Sequence, residues 1–202
     1  MSNKINQRVR LAAAALAIGT IAAFVACAEP SVSPSESSVA AVAKPATIAS
    51  VGDQLAELRT ATARFHDFAG TTGDGKPYAK QLTGCMVDEQ FGLGGMGFHY
   101  AKESAIDNTV DQLEPEALLY EPQKNGTMKL VAVEYVVPYA VRPRSGPAPE
   151  AFGQKFLQTD EFGVWALHAW IWKNNPAGMF APWNPTVNCD AVPVAARMSH
   201  GD

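Results

Sequence analysis

Three polar residues stand out against their surroundings in this sequence: His99, Glu134 and His168. His168 lies between Leu167 and Ala169 in a run, Val164 to Trp172, that reads as a strand. By the two-residue alternation of a strand it shares a face with Ala166, Trp170 and Trp172. Glu134 interrupts the apolar run Leu130 to Val137. An ionised carboxylate buried there needs a partner, because leaving it unpaired costs several kcal/mol. Two imidazoles and one carboxylate can hold Zn²⁺ or Fe²⁺ with positions open to water. They can also do acid–base work, with Glu134 orienting or charging an imidazole. The structural alternative is a buried His–Glu hydrogen bond that satisfies both groups. Spacings of 35 and 34 residues form no motif, so the sequence predicts no cofactor outright, and a divalent metal enters only through these three side chains.

The elements that must position them read mainly as strands: Gly97 to Tyr100, Glu116 to Glu121, Lys129 to Val137 and Val164 to Trp172. Asn125-Gly126 is the strongest hairpin signal in the chain. A two-residue turn there predicts that Ala117 faces Glu134, Leu119 faces Ala132 and Glu121 faces Leu130. One face of the sheet then carries Leu118, Tyr120, Val131, Val133, Tyr135 and Val137, and the other carries Ala117, Leu119, Leu130, Ala132 and Val136 around Glu134. Upstream, Val51, Leu55, Leu58, Thr62, Phe65 and Phe68 recur at helical spacing, predicting an amphipathic helix of about 18 residues with Ser50 as N-cap and Gly70 as stop.

These readings predict an α+β domain in which one long N-terminal helix packs on a four-stranded, mainly antiparallel sheet, roughly cystatin-like, with an apolar C-terminal arm. The arm, turn formers interleaved with Met179, Phe180 and Trp183, is expected to cover one sheet face together with Trp170 and so line a pocket. The segment Arg142 to Gly163 is long for a connection without periodicity, which predicts a lid, a partner loop or disorder. Gly92-Leu93-Gly94-Gly95-Met96-Gly97 spells a dinucleotide fingerprint, but no strand–helix unit surrounds it, and it is read as a flexible glycine turn packed closely on a neighbour.

The N-terminus is read as an export signal. Lys4, Arg8 and Arg10 precede an uncharged, mostly apolar run from Leu11 to Val25 that ends in small residues. Phe24-Val25-Ala26-Cys27 resembles the bacterial lipobox, with Phe24 where Leu is usual, which makes Cys27 the expected lipidation site; cleavage after Ala28 is the alternative. Residues 1–26 are thus a signal peptide, 27–50 a Pro/Ser tether of about 70 Å contour that cannot bury enough surface to fold, 51–190 one domain, and 191–202 a flexible tail. Either route removes Cys27 from the thiol pool and leaves Cys85 and Cys189, most simply a disulfide stabilising the domain by roughly 4 kcal/mol. Removing Lys4, Arg8 and Arg10 from 16 bases leaves 13 against 20 acids, a net charge of −7. Such a surface does not attract nucleic acid.

The segments Pro115-Glu116-Ala117-Leu118-Leu119-Tyr120-Glu121-Pro122, Val133 to Val137 and Leu167 to Trp172, the last followed by Asn175 to Pro185, resemble an uncharacterised family of exported bacterial proteins. The resemblance implies export and one intact domain, and no activity. The expectation is therefore an exported protein held to a membrane through a lipid, or secreted or periplasmic. Its activity is most simply that of a module binding a small molecule or a partner. A metal-dependent or acid–base enzyme using His99, Glu134 and His168, and a structural envelope protein, are the alternatives.

Overall fold

The structure is a computed structural model that describes residues 49–199. The signal peptide, Cys27 and nearly all of the tether lie outside the described residues. Among the described residues no helix is long and apolar enough to cross a membrane.

Helix α1 spans Val51–Thr62. Its start is fixed by reciprocal bonds: Ser50 Oγ accepts from the Asp53 amide at 3.2 Å, and the Asp53 carboxylate accepts from the Ser50 amide at 3.1 Å. Leu58 is fully buried, which stabilises by roughly 1.5–3 kcal/mol relative to exposure. The helix ends earlier than its apolar spacing predicts. The hydroxyls of Thr60 and Thr62 donate back to the carbonyls of Ala56 and Leu58, bonds that compete with regular helix geometry. The chain tightens into a 3₁₀ turn, Ala63–His66, and restarts as α2, Phe68–Thr71, where the Asp67 carboxylate accepts from the Gly70 amide. Gly70 therefore lies inside a helical turn and does not end a helix.

The protein is mostly β, and the expected α+β architecture of one long helix on a four-stranded, cystatin-like sheet is overturned. The strands are β1 (Lys80–Gln81), β2 (Cys85–Asp88), β3 (Gly94–Ala101), β4 (Ala117–Pro122), β5 (Met128–Pro138), β6 (Glu150–Ala151), β7 (Gln154–Lys155), β8 (Leu157–Thr159), β9 (Val164–Ala169) and β10 (Arg197–Ser199). One curled eight-stranded sheet runs β10-β2-β3-β4-β5-β9-β8, with β1 also paired to β3; β6 and β7 form a separate hairpin. The four predicted strands make its centre. The difference comes from short edge strands, including β8 and the β6–β7 hairpin inside the segment expected to be a loop, and β10 inside the expected tail.

The β4–β5 hairpin pairs Ala117 with Glu134 and Leu119 with Ala132. Nearer the turn the register slips by one, so that Tyr120 faces Leu130 and Glu121 faces Lys129. The turn is longer than two residues, with the Gln123 amide donating to the Thr127 carbonyl and Gly126 at φ 81°. A bulge at Val131 absorbs the extra residue and restores the register beyond it. The bulge also exchanges two side chains. Leu130 joins the core beneath α1 with Leu118, Tyr120, Val133, Tyr135 and Val137, and Val131 joins Leu119, Ala132 and Trp170 on the opposite side.

Cys85 and Cys189 form a disulfide, 104 residues apart in sequence. The glycine-rich run is not a loose turn. It forms the start of β3, with Gly95 and Asn184 exchanging two backbone hydrogen bonds of 3.1 Å. Gly94 has φ 100°, and a Cβ there would sit 2.2 Å from the Asn184 carbonyl oxygen, so only glycine lets the C-terminal arm approach this closely.

Candidate metal centre

His99 comes from β3, Glu134 from β5 and His168 from β9. Glu134 pairs with His168 on one side and with Ala117 of β4 on the other, and Ala117 pairs with Ala101 of β3. All four therefore share one face of the sheet. His99, opposite Leu119, lies two residues along on the same face. Ala117, between Ala101 and Glu134 in the register, is fully buried.

The three residues are buried, with 3%, 8% and 6% exposure for His99, Glu134 and His168. His99 Nε2 is 3.7 Å from Glu134 Oε2, and His168 Nε2 is 3.6 Å from Glu134 Oε1. Both distances exceed the roughly 2.7–3.2 Å of a hydrogen bond. His168 Nε2 has no hydrogen-bond partner among the described residues. The structural alternative, a buried His–Glu hydrogen bond, is not formed. One ligand atom from each residue lies within 4.8 Å of the others. Atoms bound to one tetrahedral Zn²⁺ at about 2.0–2.1 Å are about 3.4 Å apart, so the cluster is spaced to take an ion between its members.

Around this cluster the polar contacts orient the rings. Thr83 Oγ1 lies 2.9 Å from His99 Nδ1 and also accepts from the His99 amide at 3.3 Å. With Nδ1–H donating to that hydroxyl, the lone pair of Nε2 points toward Glu134. The His168 ring stacks on Trp170, with centroids 6.1 Å apart and planes 13° from parallel. Burial lowers the His99 pKa to about 4, against a smaller opposing effect of the Gly97 backbone. Burial, reinforced by the neighbouring His99, lowers that of His168 to about 3. Burial, with Glu116 adding to it, raises Glu134 to about 8. At neutral pH both imidazoles are neutral, the protonation state in which they ligate metals.

The cluster sits in the wall of a cavity of about 830 Å³. Met86, Met96, Ile106, Val136, Ala166 and Trp183 supply much of its apolar lining, and β8 with the turn after it, Leu157 to Phe162, forms one side of the mouth. Of the arm and aromatic residues expected to line a pocket, Trp183 lines this one. Phe180 packs against the core under α1 instead, and Met179 packs against both that core and the Leu119–Val131–Trp170 cluster. Trp170 is buried beside the cluster, its indole donating to the Ala181 carbonyl at 2.7 Å. Sequence reasoning missed Thr83, Met86 and Met96. The first lies in a connection with no periodicity, and the two methionines carry no sign of chemistry in their spacing. The Leu157 to Phe162 wall had one signal, the length of the segment containing it. Comparison of this chain with protein-family models, with curated proteins and with solved structures finds no match, so what the site does is read from its own geometry.

Proposed function

We propose that this chain is a metal-dependent protein in which His99, Glu134 and His168 hold a divalent cation at the wall of an apolar cavity, with the remaining positions open to a small molecule. The carrying observation is the unpartnered, buried His168 Nε2 aimed at a carboxylate oxygen 3.6 Å away. A buried imidazole nitrogen left without a partner is costly, and a cation between it and Glu134 satisfies it while matching the carboxylate that forms when Glu134 gives up its proton. Three protein ligands are the number that leaves a catalytic zinc a free position, and the cation there polarises a bound carbonyl or lowers the pKa of bound water. The chain's own contribution is to fix the ligands on three strands of a rigid sheet and to exclude bulk water with the apolar lining. The disulfide supports placing the protein in an oxidising compartment, as the export reading requires.

The test is metal analysis of protein purified without chelator or affinity His-tag, followed by zinc titration of stripped protein. About one equivalent per chain, lost in His168→Ala, is the expected result. A stripped protein with no affinity for Zn²⁺, Fe²⁺ or Mn²⁺ while still folded would return the cluster to a purely structural role.

A further inference from the structure

The cavity that holds the metal cluster also constrains what reaches it. Resting on the metal reading above, we infer that the ligand is a monoanionic amphiphile, a carboxylic acid with an apolar tail, whose carboxylate completes the coordination of the cation while the tail lies along the cavity. Two properties carry this, one for each end of the molecule.

The head follows from charge. A divalent cation held by two neutral imidazoles and the Glu134 carboxylate leaves one net positive charge at the cluster; the buried Glu116 nearby does not line the cavity, accepts from the Val136 amide at 3.0 Å, and is raised to about 8 by burial. An uncompensated charge there is costly, and one further anion offsets it. The other acids along the cavity, Asp160 and Glu161, lie at the exposed rim. Asp160 is matched there by Arg144, which donates through Nε at 2.6 Å and through its terminal nitrogen at 2.8 Å, and by the Tyr139 hydroxyl at 3.0 Å. Glu134 is thus the one carboxylate among the lining residues that stands at the buried end.

The tail follows from the lining and the mouth. Met86, Met96, Val136 and Ala166 line the same cavity as the cluster, and methionine side chains adapt to a flexible apolar chain. At the mouth, Leu82, Leu157 and Phe162 remain 43%, 52% and 41% exposed although each lines the cavity. Apolar side chains that line a cavity and are left half-wet are what an apolar body in it would cover. A volume of about 830 Å³ lies in the range, roughly 300–1,000 Å³, of pockets that enclose a small molecule.

Decanoate is the probe, with decanol testing the head and acetate testing the tail, each titrated calorimetrically into the full chain in zinc-loaded and chelator-stripped forms. Zinc-loaded protein is expected to bind decanoate at least tenfold more tightly than either decanol or acetate. Stripping the metal should reduce decanoate to the level of decanol. Leu157→Asn and Phe162→Asn change exposed side chains outside the ligand set, Leu157 standing opposite Ala166 on the neighbouring strand. Each should weaken decanoate several-fold while zinc affinity stays within twofold. Decanoate binding no tighter than acetate, no tighter than decanol, or unchanged in both rim variants overturns the inference. The zinc titration without decanoate separates the two levels: if zinc binds and decanoate does not, the ligand assignment alone fails, and if zinc does not bind, the metal reading fails and takes this one with it.

Discussion

Glu134 and His168 stand directly opposite each other across β5 and β9, yet their nearest polar atoms are 3.6 Å apart and make no hydrogen bond. Neighbours in register could close that gap with a small change of side-chain torsion. The open spacing separates a site that receives an ion from a pair that satisfies itself, and the two respond differently to substitution.

Glu134→Gln keeps the shape and removes the charge. The folded protein should survive, with metal-free stability changed by no more than about 1–3 kcal/mol, because no hydrogen bond to either histidine is lost. Zinc at one hundred times its dissociation constant should stabilise the parent by about 2.7 kcal/mol and the variant by far less. Thermal melts with and without zinc read both effects. Equal zinc stabilisation in parent and variant would remove Glu134 from the ligand set.

Proton linkage gives a second signature. Glu134 has a folded pKa of about 8, above its ordinary 4.5, so the proton it keeps favours the folded state fully below 4.5 and ceases to do so as pH rises through 8. Glu116, also raised to about 8 by burial, acts in the same direction. The two histidines, lowered to about 4 and 3, favour folding above 6.5 and lose that effect as pH falls through those values. Between pH 6.5 and 8 the metal-free protein should therefore lose stability, each carboxyl contributing a slope approaching about 1.4 kcal/mol per pH unit. Zinc needs Glu134 ionised, so its affinity should rise over the same interval and its binding should release a proton. Urea melts across this range and calorimetry in two buffers check the pair; a flat stability profile combined with no proton release would contradict the buried, protonated Glu134.

Thr83 acts through His99. Removing its hydroxyl in Thr83→Ala leaves Nδ1 without its 2.9 Å partner, and zinc affinity should fall roughly 10–100-fold while the fold persists. Thr83→Ser keeps the hydroxyl and should restore most of the affinity. Equal affinity in all three proteins would show that the hydroxyl plays no part in orienting the ring.

Reduction of Cys85–Cys189 should cost about 2–5 kcal/mol, measured by urea unfolding of the Cys85→Ser/Cys189→Ser protein against the oxidised parent. The parallel pair β10–β2 should open first, since Cys85 begins β2 and lies opposite Arg197 of β10. A double variant as stable as the parent would mean that the long loop is held by packing alone.

Lipidation at Cys27 stands as a proposal with its own readout: labelled palmitate should enter the parent and be absent from Cys27→Ala. A mature N-terminus at Glu29 would show ordinary secretion instead.

The central strands were legible because each is long enough to show two-residue alternation, and Asn125-Gly126 marked the hairpin. The bulge was not. Leu130 and Val131 are both apolar, so exchanging their faces leaves no trace in a polar/apolar pattern. Strands of two to four residues such as β1, β6 and β8 have too few alternations to register, and the β10–β2 pairing joins segments far apart in sequence. The helix was overextended because apolar spacing continues through the 3₁₀ turn while the threonine hydroxyls reshape the backbone. Glu134 was visible as a misplaced charge, whereas Thr83 acquires meaning only once β3 lies beside it.

Because the residues proposed as ligands are spread over β3, β5 and β9, with β4 lying between the first two, an ion at their meeting point would brace the sheet crosswise, perpendicular to its strands. Separating β9 from β5, or β3 from β4, would then first require releasing the ion. Amide protons on strands that open independently in the metal-free protein would exchange together and slowly in the loaded one, so the centre would set the mechanical unit of the domain as well as its chemistry.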